Sequence, residues 1–314
     1  MGARRRKGRF VSGWLVLDKP VGIGSTPALG RARRIFDAQK AGHAGTLDPL
    51  ASGILPVAFG EATKTIHMMM DASKTYECTI RFGATTTTDD LEGEIVNQTA
   101  VRPDDSAIQT VLSQFTGEIS QKPPAYSALK IDGRRAYDMA RAGEEPDLAL
   151  RQVRIDHIEV IARPDADHLQ LRVDCGKGTY IRALGRDIAQ ELGSLGHICA
   201  LRRTRVGNFS LDHAIGLEKL MDLGHSAPDL NEFDRLILPL ETVLDDIPAL
   251  ALDENQARMV RHGQSIPVSD DRVSADMFWV HYETKAVALG TLRESVFKPS
   301  RIINQSPMGV NEME

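Results

Sequence analysis

Cysteine is scarce in this 314-residue chain: Cys78, Cys175 and Cys199 are widely spaced and odd in number. That excludes a disulfide framework and any paired-cysteine metal pattern, and favours buried, reduced thiols. Long apolar runs are missing too. The longest, such as Gly53 to Gly60, fall far short of the roughly 20 residues that a membrane-spanning helix needs. The basic start, Met1-Gly-Ala-Arg-Arg-Arg-Lys7, lacks the apolar stretch of a secretory leader, so a cytoplasmic protein is expected. His-x-x-x-His, Walker A, Gly-x-Gly-x-x-Gly before a helix and Gly-x-Ser-x-Gly are all absent. Metal, nucleotide and serine-nucleophile chemistries therefore have no support, and no cofactor is expected. Aromatics make up only 5%, so a tyrosine near a polar motif stands out.

What is present is an ordinary globular composition, 42% hydrophobic and 26% charged, with length enough for two domains. The net charge of −5 argues weakly against nucleic acid, but phosphate contacts need local rather than total positive charge. Basic residues cluster at Arg4–Arg9, Arg31–Arg34, Lys130–Arg135 and Arg202–Arg205. Acidic ones gather later, in Glu218–Asp246 and Asp253–Glu254. A basic face on an acidic protein fits this distribution; short basic runs also occur as solvated helix faces.

Apolar Val11 and Trp14 to Leu17 predict a strand over Phe10–Leu17, broken by Asp18-Lys-Pro-Val-Gly22. Ser25 and Thr26 are N-cap candidates for a helix with Pro27 in its first turn. Residues 40–56 hold three glycines and two prolines beside Leu47, Leu50, Ile54 and Leu55, which suggests a packed loop with a short helical turn. Lys74–Phe82 alternates as a half-buried strand. Asp104–Phe115 reads as a helix, Arg154–Ala162 and Leu169–Cys175 as strands, and Tyr180–Leu192 as a helix. From Ala251 the elements shorten into a small β-rich appendage: Gln256–Arg261, then Met277–His281, Ala286–Leu289 and Ser300–Ile303.

In Gly42-His-Ala-Gly-Thr-Leu-Asp48-Pro49, a carboxylate is held between an apolar residue and proline in a glycine-shaped loop. An immobilised Asp48 can act as nucleophile or general base, or can merely cap nearby amides. A partly desolvated arginine beside it would favour the charged carboxylate, and Gly178-Thr-Tyr-Ile-Arg182 offers Arg182, although the sequence alone does not bring the two together. Tyr76 and Tyr180 could stack on a base extruded from RNA; Tyr76 could equally pack beside Cys78 and Ile80. His43 could stack, or satisfy loop amides. Lys19, Lys64 and Lys130 are candidate phosphate contacts, or ordinary surface lysines.

Three blocks, Leu17-Asp-Lys-Pro-Val-Gly22, Gly42 to Pro56 and Gly60-Glu-Ala-Thr-Lys64, resemble the bacterial tRNA pseudouridine-55 synthases (TruB type). Lys74-Thr-Tyr-Glu77, Gln121 to Lys130, Gly178 to Arg182 and Leu201-Arg-Arg-Thr-Arg-Val-Gly207 resemble further blocks of that family, in the same order, so the likeness spans about residues 10–215. Gly24 and Ala44 depart mildly from the pattern, outside the proposed chemistry.

The resemblance implies an α+β fold, a mixed, mainly antiparallel sheet flanked by helices. Residues 1–245 would form the catalytic domain and residues 246–314 a small PUA-like RNA-binding domain. It further implies Asp48 as catalytic aspartate, Tyr76 stacked on the target base, Arg182 paired with Asp48, Tyr180 in the active site, Leu201 lining the pocket and His43 entering the T-loop. The expected partner is the T-arm of tRNA, bound by a monomer. A tRNA-folding chaperone is the rival expectation, alone or beside catalysis; an Asp-dependent nucleosidase releasing uracil is a weaker one.

Overall fold

The computed structural model describes residues 8–127, 129–131, 133–144, 146–225, 233–268 and 275–305. Arg4 to Lys7 of the N-terminal basic cluster, and part of the acidic Glu218–Asp246 stretch, lie outside them. The main sheet has ten strands. Eight of them run in the order Ile215–Gly216, Gly13–Lys19, Ser52–Phe59, Gly196–Val206, Lys74–Phe82, His168–Cys175, Arg151–Ala162 and Gly117–Gln121. Ala41–His43 pairs with Ser52–Phe59, and Phe209–Ser210 with Gly196–Val206. Two pairings are parallel, Gly13–Lys19 with Ile215–Gly216 and Ser52–Phe59 with Gly196–Val206. The rest are antiparallel, so the mixed, mainly antiparallel α+β architecture is the one observed.

Both faces of the N-terminal half of this sheet are covered. Leu15, Leu17, Leu55 and Val57 pack under the helices Ser25–Ile35 and Leu217–His225 through Ala28, Ala32, Phe36 and Leu220. Trp14, Val16, Ile54 and Ala58 point the other way, onto Phe209, Leu240, Leu289 and Ile303. Strands buried on both faces read as continuous apolar runs rather than alternating ones, as in Trp14 to Leu17. In the other half the helices Asp105–Leu112 and Ile181–Glu191 cover Ile80, Phe82, Leu169, Leu171 and Val173. Asp104 caps the first of these helices by accepting from the Ala107 amide.

Two expectations need correction. The 40–56 segment has no helical turn; it contributes the strands Ala41–His43 and Ser52–Phe59. Pro56 lies in the gap between the pairings of Gly53 and Val57 on one edge. Its carbonyl accepts from Ala44 there, so the missing N–H removes no ladder bond. Neither Ser25 nor Thr26 is the N-cap: Gly24 holds that position without a side-chain cap, and Ser25 turns inward.

A second sheet of five strands runs Ala249–Ala251, Ala275–Tyr282, Lys285–Arg293, Val296–Ile302 and Ile266–Pro267, around its own core with the helix Glu254–Arg261. Among the described residues no helix is long and apolar enough to cross a membrane. Cys78 and Cys175 are buried, and burial pushes their thiols up to about 12 and about 11; Cys199 is half-buried. Ellman's reagent at pH 7.5 is therefore expected to titrate at most one thiol in the native protein and three after unfolding. Fast reaction of two or more in the native state would contradict this packing.

Candidate active site

Three adjacent strands and one helix start converge on a cavity of about 290 Å³. Asp48 arrives on the loop before Ser52–Phe59, Leu201 and Arg203 on Gly196–Val206, and Tyr76 on Lys74–Phe82. Tyr180 and Arg182 open the helix Ile181–Glu191. Tyr76 and Leu201 pack against the cores of both sheet halves, so the cavity lies on the seam between them.

Asp48 and Arg182 meet at 2.8 Å. The arginine side chain is 7% exposed, the carboxylate 39%, so the acid is open to solvent while its partner is buried. Arg182 also faces the buried Asp90 at 3.5 Å and donates to the carbonyls of Thr88 (2.8 Å) and Tyr126 (2.9 Å). Four acceptors on one planar fork leave it little freedom. The Tyr180 amide donates to Gln121 Oε1 at 2.9 Å, fixing the chain where the helix begins. Burial raises the hydroxyl pKa values of Tyr76 and Tyr180 above the ordinary tyrosine value, and Arg203 opposes the shift at Tyr76.

Five of the expected residues, Asp48, Tyr76, Tyr180, Arg182 and Leu201, thus line one cavity. His43 sits on the edge of Ala41–His43, outside that lining; its Nδ1 is buried without a hydrogen-bond partner, and burial followed by Arg203 pushes its pKa down. Lys19 is no surface lysine. It is fully buried, and Nζ donates to the carbonyls of Pro20 (2.9 Å) and Ile23 (2.6 Å), closing the turn after the first strand. Burial pushes it down to about 8, with Asp48 opposing. Lys64 is engaged as well, by Glu61 and the carbonyl of Ile302 in the second sheet. Lys130 starts the short strand Lys130–Ile131, and its side chain lies outside the described residues.

Sequence reasoning gave no role to Asp90, Lys74 or Arg203. Arg203 carried a faint signal, since it shares a strand face with Leu201 by the two-residue period. Lys74 lines the cavity, its ammonium on the carbonyls of Met70 and Ala72, and burial pushes it down to about 8. Among the described residues no three His, Cys, Asp or Glu side chains converge as a metal site.

Residues 33–181 match the model of the TruB family pseudouridylate synthase N-terminal domain, and residues 182–245 that of the tRNA pseudouridylate synthase B C-terminal domain. The chain is 53% identical to the tRNA pseudouridine synthase B of Caulobacter sp. (strain K31) over 264 residues, 84% of each protein. Its identity to the same enzyme of Dinoroseobacter shibae is 47% over 306 residues, 97% of this chain and 99% of the relative. Among solved structures, Cbf5 in a Cbf5-Nop10-Gar1 complex is similar at a TM-score of 0.69 and 27% identity, covering 93% of this chain and 84% of that one. An H/ACA RNP bound to a substrate RNA containing 2'-deoxyuridine shares the fold at a TM-score of 0.72 and 23% identity, over 96% of this chain and 92% of that one.

Proposed function

Because this chain belongs to the TruB family of pseudouridylate synthases, we propose that it isomerises uridine 55 in the T-loop of tRNA, with Asp48 as the catalytic carboxylate. The 2.8 Å Asp48–Arg182 pair, in a cavity that Tyr76 and Tyr180 also line, carries this reading. A half-exposed carboxylate held by a buried arginine is oriented yet open to a nucleotide.

In the reaction the bond from ribose C1' to uracil N1 breaks, the base turns, and a bond from C1' to C5 forms. The C5 hydrogen leaves as a proton and N1 ends protonated, so atoms balance without water or an oxidant. Asp48 assists either by attack on the ribose or base, or by helping a glycal to form. Tyr76 offers its ring to the uracil and Leu201 an apolar wall, and Tyr180 lines the same cavity. An extruded base costs a few kcal/mol of stacking, which such a ring returns. The T-arm of tRNA is the proposed partner, bound by a monomer in the cytoplasm. Residues 1–245 would carry the chemistry, and residues 246–314, whose five-stranded sheet has its own core, would extend the RNA contact.

Incubation with tRNA tritiated at uracil C5 tests the reaction: tritium should pass into water at about one equivalent per tRNA, with no free uracil. Release of free base would indicate a nucleosidase; tight binding with neither product would leave a chaperone. Tyr76→Phe is expected to keep tRNA affinity within about threefold while lowering kcat by about 100-fold, because the ring remains and the hydroxyl is lost. Equal losses in both would remove any chemical role from that hydroxyl.

A further inference from the structure

Arg203 is one of the largest fully buried side chains in the molecule, 1% exposed. Its Nε donates to the carbonyl of Ile54 at 2.8 Å, Nη2 to that of Gly45 at 3.1 Å and Nη1 to that of Thr46 at 3.5 Å. Two of these carbonyls belong to the loop that delivers Asp48. On the neighbouring strand its register partner is Tyr76, and both side chains line the cavity. One guanidinium therefore holds the loop that carries Asp48, while its residue stands beside Tyr76 across the strand pair.

The surroundings are built around this side chain. Gly45 has φ +90°, and a Cβ there would come within 3.3 Å of Nη1. Gly53, at φ +99°, lies against the Arg203 backbone, where a Cβ would meet the carbonyl oxygen at 2.2 Å. Neither place accepts a side chain without moving the arginine or its strand. Other groups hold the rest of the loop. Ser25 Oγ donates to the Leu47 carbonyl at 2.8 Å and accepts from its amide at 2.7 Å. The Gly22 amide donates to the Pro49 carbonyl at 2.8 Å, and the Ala51 amide to that of Asp48 at 3.1 Å. Burying a guanidinium against carbonyls, rather than against a carboxylate, carries a large desolvation cost. The return is geometric: three points of backbone are fixed by one planar fork.

We infer that Arg203 is a positioning residue of the reaction, setting the loop that presents Asp48 at a fixed distance from the Tyr76 ring. The inference rests on Asp48 being the catalytic carboxylate. A displacement of about 1 Å in a reacting group lowers turnover by roughly 100-fold, so loss of the fork should act on kcat rather than on RNA binding.

The test compares wild type, Arg203→Lys and Asp48→Asn as full-length proteins, by steady-state turnover and filter binding of an unmodified tRNA transcript, with thermal melts as the folding control. Lysine keeps the charge, but one ammonium cannot span three carbonyls. Arg203→Lys is expected to lower kcat by about 30-fold or more while KM and Kd change by less than about threefold. If it melts below the assay temperature, Arg203→Gln, which removes the buried charge and keeps N–H donors, is held to the same criterion. A folded variant that turns over within threefold of wild type overturns the inference, as does an equal loss in kcat and affinity. An Asp48→Asn protein that still turns over would overturn the underlying reading of the site, and the inference with it. A dead Asp48→Asn beside an unaffected Arg203 variant overturns the inference alone.

Discussion

Replacing Asp48 by Asn is expected to lower kcat by at least about 1,000-fold while tRNA affinity stays within about threefold of wild type. Asn has the same shape. It keeps the backbone that Pro49 restricts, the Ala51 amide on its own carbonyl, and a side-chain oxygen that can face Arg182. What it lacks is the anion. Because the carboxylate is 39% exposed, its loss perturbs chemistry far more than packing. Kd from filter binding, kcat from tritium release and a melting curve separate these effects. A variant that retains a tenth of wild-type turnover would remove Asp48 from the mechanism.

Arg182→Met should produce the second large effect, on stability as well as on rate. The guanidinium joins Asp48, Asp90 and two carbonyls, and both it and Asp90 are shut away from water. Removing one member of a buried ionic cluster leaves the other uncompensated, at a cost of about 3–5 kcal/mol. Urea denaturation should show that loss as a lower midpoint with an unchanged slope. Turnover of the folded fraction should fall about as far as in Asp48→Asn, and the double variant should be no worse than the poorer single one, because the pair acts as a unit. Wild-type stability for Arg182→Met would show that the cluster is not buried as described.

The parts of the fold that alternate were the easiest to read. Lys74–Phe82 appears with the expected bounds, because one face is more deeply buried than the other. Ser52–Phe59 escaped because it is buried on both faces, so no alternation exists, and because Gly53 and Pro56 look like punctuation. Gly53 is there to let the Arg203 strand approach, which only the folded structure reveals. The grouping of Asp48, Tyr76, Tyr180, Arg182 and Leu201 came from the order of family-like blocks. No periodicity in the chain links position 48 to position 182. Charge was a poor guide to role: Lys19 and Arg203 are buried, and Arg202 pairs with Asp18 at 2.8 Å. Ser25 illustrates the same limit, since a serine before a helix reads as a cap until the loop it holds folds against it.

The most direct test maps the product. An unmodified tRNA transcript is incubated with wild-type protein and with Asp48→Asn, without added metal or nucleotide, then labelled with carbodiimide and read by primer extension. A single stop at uridine 55 of the T-loop with wild type, absent with Asp48→Asn, is the result this account predicts. A stop at another uridine, or the same stop with the folded Asp48→Asn protein, would contradict it.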